Sequence, residues 1–214
     1  PLEHQRALFP RVADLVDAFA DERIRLITHP NNLGVSEARN TALRVAAGKY
    51  IAYLDDDDVY YSKHLETPVT ILENSIFQVA YANSLCNYQS DRNGEFYSTH
   101  KVLEHDVDYD QRKLLTDNYI PMLNLVHAKS CLEETGLFDT TLRRHVDWDM
   151  WVRLCLRYPF YHIPKVTAEY TTRQLGSGMR TSFPGEYLRT MQWIHKKYAE
   201  QVQYDPQLLA EQEQ

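Results

Sequence analysis

The stretch Tyr50-Ile51-Ala52-Tyr53-Leu54-Asp55-Asp56-Asp57-Asp58-Val59-Tyr60 runs an apolar segment straight into four successive carboxylates. Ionised carboxylates this close repel one another, and burial raises their pKa values unless a cation or several hydrogen-bond donors compensate. A divalent metal meets that need, because Mg²⁺ and Mn²⁺ take hard oxygen ligands and Mg²⁺ is commonly held by one or two carboxylates plus substrate phosphates. A bare run of aspartates most often sits in water as a solvated turn closing a strand. Position favours the ligand reading here: Ile51, Tyr53 and Leu54 suit a covered strand, and open α/β sheets bind ligands beyond the carboxyl ends of their strands.

Working outward, the 214-residue chain is long enough for one good core, so a single domain over residues 1–214 is expected. Hydrophobic residues at 43% and charged residues at 25% are ordinary for a globular protein, so disorder is not the default. The formal net charge of −7 argues against a nonspecific nucleic-acid binder, which needs a basic surface for phosphates. Cys86, Cys131 and Cys155 are odd in number and lack metal-type spacing, as expected of reduced thiols in the cytoplasm. No run approaches the roughly 20 apolar residues of a membrane span and no signal peptide opens the chain, so the sequence reads as soluble and cytoplasmic, at most peripheral to the inner face of a membrane. Fifteen tyrosines and three tryptophans suit sugar-like ligands, and suit cores and interfaces equally well.

Upstream, Leu8 to Ala20 places Val12, Leu15, Val16 and Phe19 at helical spacing, predicting an amphipathic helix packed on a sheet. Arg23 to Thr28 alternates charged and apolar residues and reads as a short strand ending in a turn. A helix follows from Ser36 to Ala47, with Ser36 as N-cap and Gly48 as stop. Arg39 lies in its first turns, where backbone donors and the helix dipole favour anions; it reads as a phosphate contact or as a surface ion pair.

The run Asn31 to Leu43 (NNLGVSEARNTAL), followed after a short gap by Gly48 to Glu66 (GKYIAYLDDDDVYYSKHLE), resembles the inverting family 2 glycosyltransferases. The resemblance implies an α/β fold of the GT-A type, a Rossmann-like nucleotide-sugar-binding mixed sheet flanked by helices. It implies transfer of a sugar from a nucleotide-diphosphate donor, a UDP-sugar in the first instance, to a hydroxyl on a carbohydrate or other acceptor, with Mn²⁺ or Mg²⁺ as cofactor. Laid residue by residue on this chain, it assigns Asp57 to the metal, Asp55 or Asp56 to the ribose or a metal-bound water, and Arg39 to the nucleotide.

Downstream, Ser62 to Asn74 reads as a helix that Pro68 starts late or kinks. Phe77 to Ser90 reads as β-rich, turning at Arg92-Asn93-Gly94 into a hairpin partner. A short helix is expected near Gln111 to Thr116, a strand at Met122 to His127 and a short helix from Ser130 to Thr135.

The segment Gly136 to Phe160 (GLFDTTLRRHVDWDMWVRLCLRYPF) closely matches the family's later acidic helix. The resemblance makes Asp147 the candidate catalytic base, with Asp149 structural or a backbone contact. A sugar hydroxyl is a poor nucleophile and needs a general base within hydrogen-bond reach. Read without the resemblance, Asp147 caps the helix Trp148 to Arg157. Trp151 is expected in the core, with Trp148 either core or sugar-stacking. Phe160 to Tyr170 reads as a strand pair broken at Pro164, leading into a glycine-containing loop from Thr171 to Phe183. Relatives often carry a histidine near the metal in that loop; Arg173 stands there instead, so Arg173 or Arg180 is assigned to the departing diphosphate, with an ordinary surface arginine as the alternative. Glu186 to Glu200 closes the pattern as a helix with Tyr187, Met191, Ile194 and Tyr198 on one face.

Members of the family normally open with a strand, a helix and a second strand, which this sequence does not contain, so the domain is expected to lack its usual first strands. The rival reading is a degenerate, non-catalytic nucleotide-sugar-binding module of a larger polysaccharide-biosynthesis protein. A sugar-phosphate nucleotidyltransferase would bring a glycine-rich phosphate loop, and none is visible.

Overall fold

A computed structural model describes residues 12–173 and 184–202. Six strands form one mixed sheet: β1 (Tyr50–Ala52), β2 (Val59–Tyr60), β3 (Val79–Arg92), β4 (Glu95–Val102), β5 (Leu125–Ala128) and β6 (Phe160–Arg173). They are ordered β1-β5-β3-β6-β2, with β4 attached to β3. Only β3 and β6 run parallel; the other pairs are antiparallel. The sheet has two halves. Before Asn83, β3 carries β5 and, through it, β1; beyond that residue it carries β4, while β2 joins the far part of β6 at Ala168 and Glu169. The β3–β6 register shifts on both sides of Asn83, where Pro164 and Lys165 are skipped. Proline cannot donate to a ladder and a bulge bends a strand, so the kink falls where the halves meet. The acidic connection from β1 to β2 therefore passes from one edge of this curled sheet to the other.

Helices cover both faces. These are α1 (Val12–Phe19), α2 (Val35–Val45), α3 (Glu66–Glu73), α4 (Gln111–Thr116), α5 (Cys131–Thr135), α6 (Val146–Cys155), α7 (Pro184–Lys197) and α8 (Ala199–Val202). Alternation along β3 sends Val79 and Tyr81 into the larger core with Leu43, Phe138, Trp148, Trp151, Leu154 and Ile194, and sends Ala80 and Ala82 toward Leu72 of α3. Both tryptophans of α6 are core: Trp148 Nε1 donates to the Leu114 carbonyl at 2.6 Å and Trp151 Nε1 to the Ile120 carbonyl at 2.9 Å. Helix α7 buries Ile194, and Tyr198, the residue just beyond it, is buried as well, as the periodicity over Glu186 to Glu200 predicts.

Several expectations need correction. Helix α1 buries none of its residues, and Phe19 is 74% exposed. Arg23 to Thr28 form no strand, and Ile24, Leu26 and Ile27 stay exposed. A strand exists only with a partner, and no segment among the described residues pairs with this one. Ser36 does not cap α2; Gly34, at φ 84°, occupies that position and Ser36 lies buried in the first turn. Phe160 to Arg173 is one bulged strand, so Arg173 ends β6 and does not sit on a loop. The β3–β4 hairpin is as read: Arg92 pairs with Glu95 across Asn93 (φ 59°) and Gly94 (φ 85°), the two left-handed residues of a tight turn.

Candidate active site

The acidic turn is held from below. Tyr53 is buried, and its ring lies edge-on to Phe138 (5.5 Å) and tilted against Trp151 (5.9 Å). The His127 Nδ1 lies 2.8 Å from the Ala128 carbonyl, which can only accept, so Nδ1 carries the proton. Nε2 then accepts from the Tyr53 hydroxyl at 2.8 Å. On the other flank Tyr60 donates to the Tyr53 carbonyl, and its ring stacks on His64 with centroids 3.8 Å apart. The turn closes with the Asp58 N–H donating to the Asp55 carbonyl at 3.2 Å.

Its four carboxylates have different fates. Arg39, in α2, donates from Nη2 to both oxygens of Asp55 at 2.6 and 2.9 Å. Asp58 turns inward and accepts the Thr171 N–H at 3.2 Å; burial, followed by the neighbouring aspartates, pushes its pKa up to about 7. Asp56 is exposed. Asp57 forms no hydrogen bond among the described residues, and its nearest cation is Arg173 Nη1 at 3.7 Å, an ion-pair distance. Among the described residues no three His, Cys, Asp or Glu side chains gather to hold a metal. The donor set suits a cation that brings most of its own ligands. Asp57 offers one open, hard carboxylate, which fits Mg²⁺ or Mn²⁺ completed by phosphate and water and does not make an all-protein cage.

Arg39 and its neighbour tie the turn to the second acidic segment. The Arg39 guanidinium lies 5.8 Å from the Phe138 ring centroid. Asn40 is buried and exchanges two 2.9 Å hydrogen bonds with the Phe138 backbone, pinning α2 to the loop that leads into α6. That helix starts from His145, which holds the left-handed conformation (φ 53°) at the N-cap position. Asp147 therefore lies inside the first turn and is not the cap. One of its oxygens accepts the Trp148 N–H at 2.8 Å and the other accepts Asn118 Nδ2 at 3.1 Å, leaving the carboxylate half-exposed. Asp149, two residues on, is 0% exposed. It accepts Lys197 Nζ (2.6 Å) and the Tyr198 hydroxyl (2.8 Å) on one oxygen, and Arg153 Nη2 (2.9 Å) and Nε (3.1 Å) on the other. Asp147 and Trp151 are four residues apart and share a helix face. Trp151 touches Tyr53, so the helix that carries Asp147, one turn before Trp151, packs against the residue that supports the acidic turn.

Of the residues singled out in the sequence, Arg39, Asp55, Asp57 and Arg173 meet at the turn, Asp56 projects from it, and Asp147 stands at the head of α6. Arg180 lies outside the described residues. Asn118, Phe96 and His127 were not anticipated: no local pattern marks Asn118, and the roles of the other two depend on cross-strand neighbours.

A mixed sheet of this order with an acidic turn at its edge defines a nucleotide-sugar transferase fold of the GT-A type. The chain belongs to glycosyl transferase family 2, whose sequence model matches residues 10–131. It is 33% identical over 136 residues to UDP-Glc:alpha-D-GlcNAc-diphosphoundecaprenol beta-1,3-glucosyltransferase WfgD of Escherichia coli, a match covering 64% of this chain and 50% of WfgD. It is 21% identical to the uncharacterized glycosyltransferase YwdF of Bacillus subtilis over 82% of this chain and 64% of YwdF. The chain thus spans about half to two thirds of the length of these relatives. The crystal structure of S. aureus TarS 1-349 superposes with a TM-score of 0.65 at 16% identity, covering 94% of this chain and 57% of TarS 1-349, which shows a shared fold. Among the described residues, no helix is long and apolar enough to cross a membrane.

Proposed function

We propose that this chain transfers a sugar from a UDP-linked donor to an acceptor hydroxyl with inversion, assisted by Mn²⁺ or Mg²⁺. The observation that carries the reading is the arrangement at the acidic turn: Arg39 on one side, Arg173 on the other, and the open carboxylate of Asp57 between them in sequence. Cations beside a free carboxylate suit a metal-bound diphosphate better than a solvated loop. The donor class is supported by the UDP-Glc in the name of WfgD and by the TarS structure in complex with UDP-GlcNAc, which has a TM-score of 0.63.

In this reading Asp57 holds the cation, with Asp55 and Asp56 toward the ribose or a metal-bound water. The cation, when bound, offsets negative charge on the departing diphosphate. Arg39 uses Nη2 on Asp55 and leaves its other nitrogens for the nucleotide, while Arg173 faces the diphosphate. Asp147 takes the proton of the acceptor hydroxyl as that oxygen attacks the anomeric carbon. The bond to the diphosphate oxygen breaks on the opposite side, and one displacement inverts the configuration.

The test is a panel of nucleotide sugars offered to the full-length protein with and without Mn²⁺, reading release of free nucleotide. UDP release that depends on Mn²⁺ is expected. In Asp57→Ala, Mn²⁺ affinity followed by spin resonance should fall by about 100-fold or more, since losing even an outer-shell partner costs about 10–100-fold. UDP bound without turnover of any donor would return the non-catalytic module, and absence of UDP binding would sink both.

A further inference from the structure

Arg173 is the least satisfied cation at the site. Its Nε is buried and has no hydrogen-bond partner among the described residues. Its one carboxylate neighbour, Asp57, is 3.7 Å away, beyond hydrogen-bond length. What orients it is a ring: the guanidinium carbon lies 4.6 Å from the centroid of Phe96, on β4. Pairing explains the meeting. Arg173 is in register with Gln89 of β3, and Phe96 pairs with Asp91 two residues along the same strand. Residues two apart share a face of a sheet, so the arginine reaches diagonally across β3 to the ring. Phe96 is itself 49% exposed. Among the described residues the ring contact leaves Nη1 and Nη2 of the arginine without a hydrogen bond, whereas a carboxylate partner would occupy them.

We propose that Phe96 is a positioning residue: it holds the Arg173 guanidinium over its ring at the end of β6 so that the terminal nitrogens meet the diphosphate of the donor sugar. This rests on the donor-site reading given above and adds to it a residue from the β3–β4 hairpin. A guanidinium stacked on a ring is pre-organised, so less side-chain freedom is lost when an oxyanion binds. Removing the ring frees the arginine to swing away and weakens diphosphate binding without altering a direct contact.

The experiment is calorimetric titration of UDP, and of UMP as the probe lacking the second phosphate, into the full-length protein at fixed Mn²⁺. The variants are Phe96→Ala, Phe96→Tyr, Arg173→Ala and the Phe96→Ala/Arg173→Ala double. Phe96→Ala should weaken UDP about threefold to tenfold and leave UMP within twofold. Phe96→Tyr, which keeps the ring, should restore UDP affinity. In the Arg173→Ala background, Phe96→Ala should add nothing. Loss of UDP affinity in Arg173→Ala but not in Phe96→Ala would overturn the positioning role and leave the donor site standing. Equal losses for UDP and UMP, or additive losses in the double variant, would overturn it as well, because Phe96 would then act by another route. Should the unaltered protein bind UDP with neither single variant changing it, the diphosphate role of Arg173 falls together with that of Phe96. A protein that binds no UDP overturns the donor-site reading itself.

Discussion

The turn Asp55–Asp58 and the head of α6 solve the same problem, several carboxylates in a few residues, in opposite ways. At α6 the charge is sunk into the core and neutralised: Asp149 is fully buried, and Lys197, Arg153 and Tyr198 fill its oxygens. At the turn Asp55 is hydrogen-bonded to Arg39, Asp57 has Arg173 only at an ion-pair distance of 3.7 Å, Asp58 is driven toward its protonated form, and Asp56 and Asp57 are exposed. Yet each segment keeps a carboxylate open to a ligand, Asp147 at α6 and Asp56 and Asp57 at the turn, beside one that is structurally committed. Neighbouring aspartates thus take different roles because their surroundings differ, and burial with its partners separates them where the sequence alone does not.

The strongest way to break this contrast is Asp147→Asn. Loss of a general base costs about 10²–10⁴-fold, so transfer by the full-length protein should fall by that factor while UDP binding stays within twofold. Stability should change by no more than about 1 kcal/mol, because the amide keeps the shape, its one oxygen still accepts from Trp148, and its NH2 can donate to Asn118 Oδ1 once that side-chain amide flips. Turnover kinetics beside a urea melt separate the two, and unchanged turnover would remove Asp147 from the chemistry.

Asp149→Ala should do the reverse. Taking away the buried carboxylate leaves Arg153 without its counter-charge and Lys197 with Asp139 alone, at 3.1 Å, which costs about 3 kcal/mol or more. The midpoint of a urea melt should drop accordingly. A variant that keeps its stability but loses activity would exchange the roles assigned to Asp147 and Asp149.

The sequence made some of this division legible. The two motif blocks pointed to the fold, and Pro68 and Asn93-Gly94 act by local stereochemistry that any context preserves: α3 starts late and the hairpin turns where expected. The four-aspartate run did not reveal which members face water, because a turn has no period from which to read a face. Asp147 was readable as a cap because the residue that takes that place, His145, adopts a left-handed conformation that histidine seldom offers. The segment from Arg23 to Thr28 had a strand's alternation without a strand's partner, and alternation says nothing about pairing. Arg173 was placed on a loop because the stretch from Thr171 to Phe183 is polar and contains glycine, whereas pairing with β3 as far as Gln89 carries β6 through Arg173.

The smallest effect sharpens the contrast through pH. At the head of α6, Asp149 rests on the ammonium of Lys197 and the guanidinium of Arg153. The turn rests on neutral imidazoles. Burial holds both His127 and His64 down to about 4, from an ordinary 6.5. Between those values the unfolded chain binds a proton that the folded chain refuses, so stability falls as pH drops from about 6.5 toward 4, by at most about 1.4 kcal/mol per pH unit for each group. For His127 the reason is specific: a proton on Nε2 would face the Tyr53 hydroxyl that now donates to it, undoing the support directly beneath the acidic turn. Asp58 works against this, since its pKa, raised to about 7, lets the folded state take up a proton in the same window. The net acid sensitivity is therefore nearer that of one histidine than of two. Urea melts at pH 7.5 and 5.0 should show the loss, and Asp58→Asn, which removes the opposing uptake, should make it steeper. If Asp58→Asn leaves the pH slope unchanged, Asp58 does not titrate in that window and is ionised in the folded turn like its neighbours.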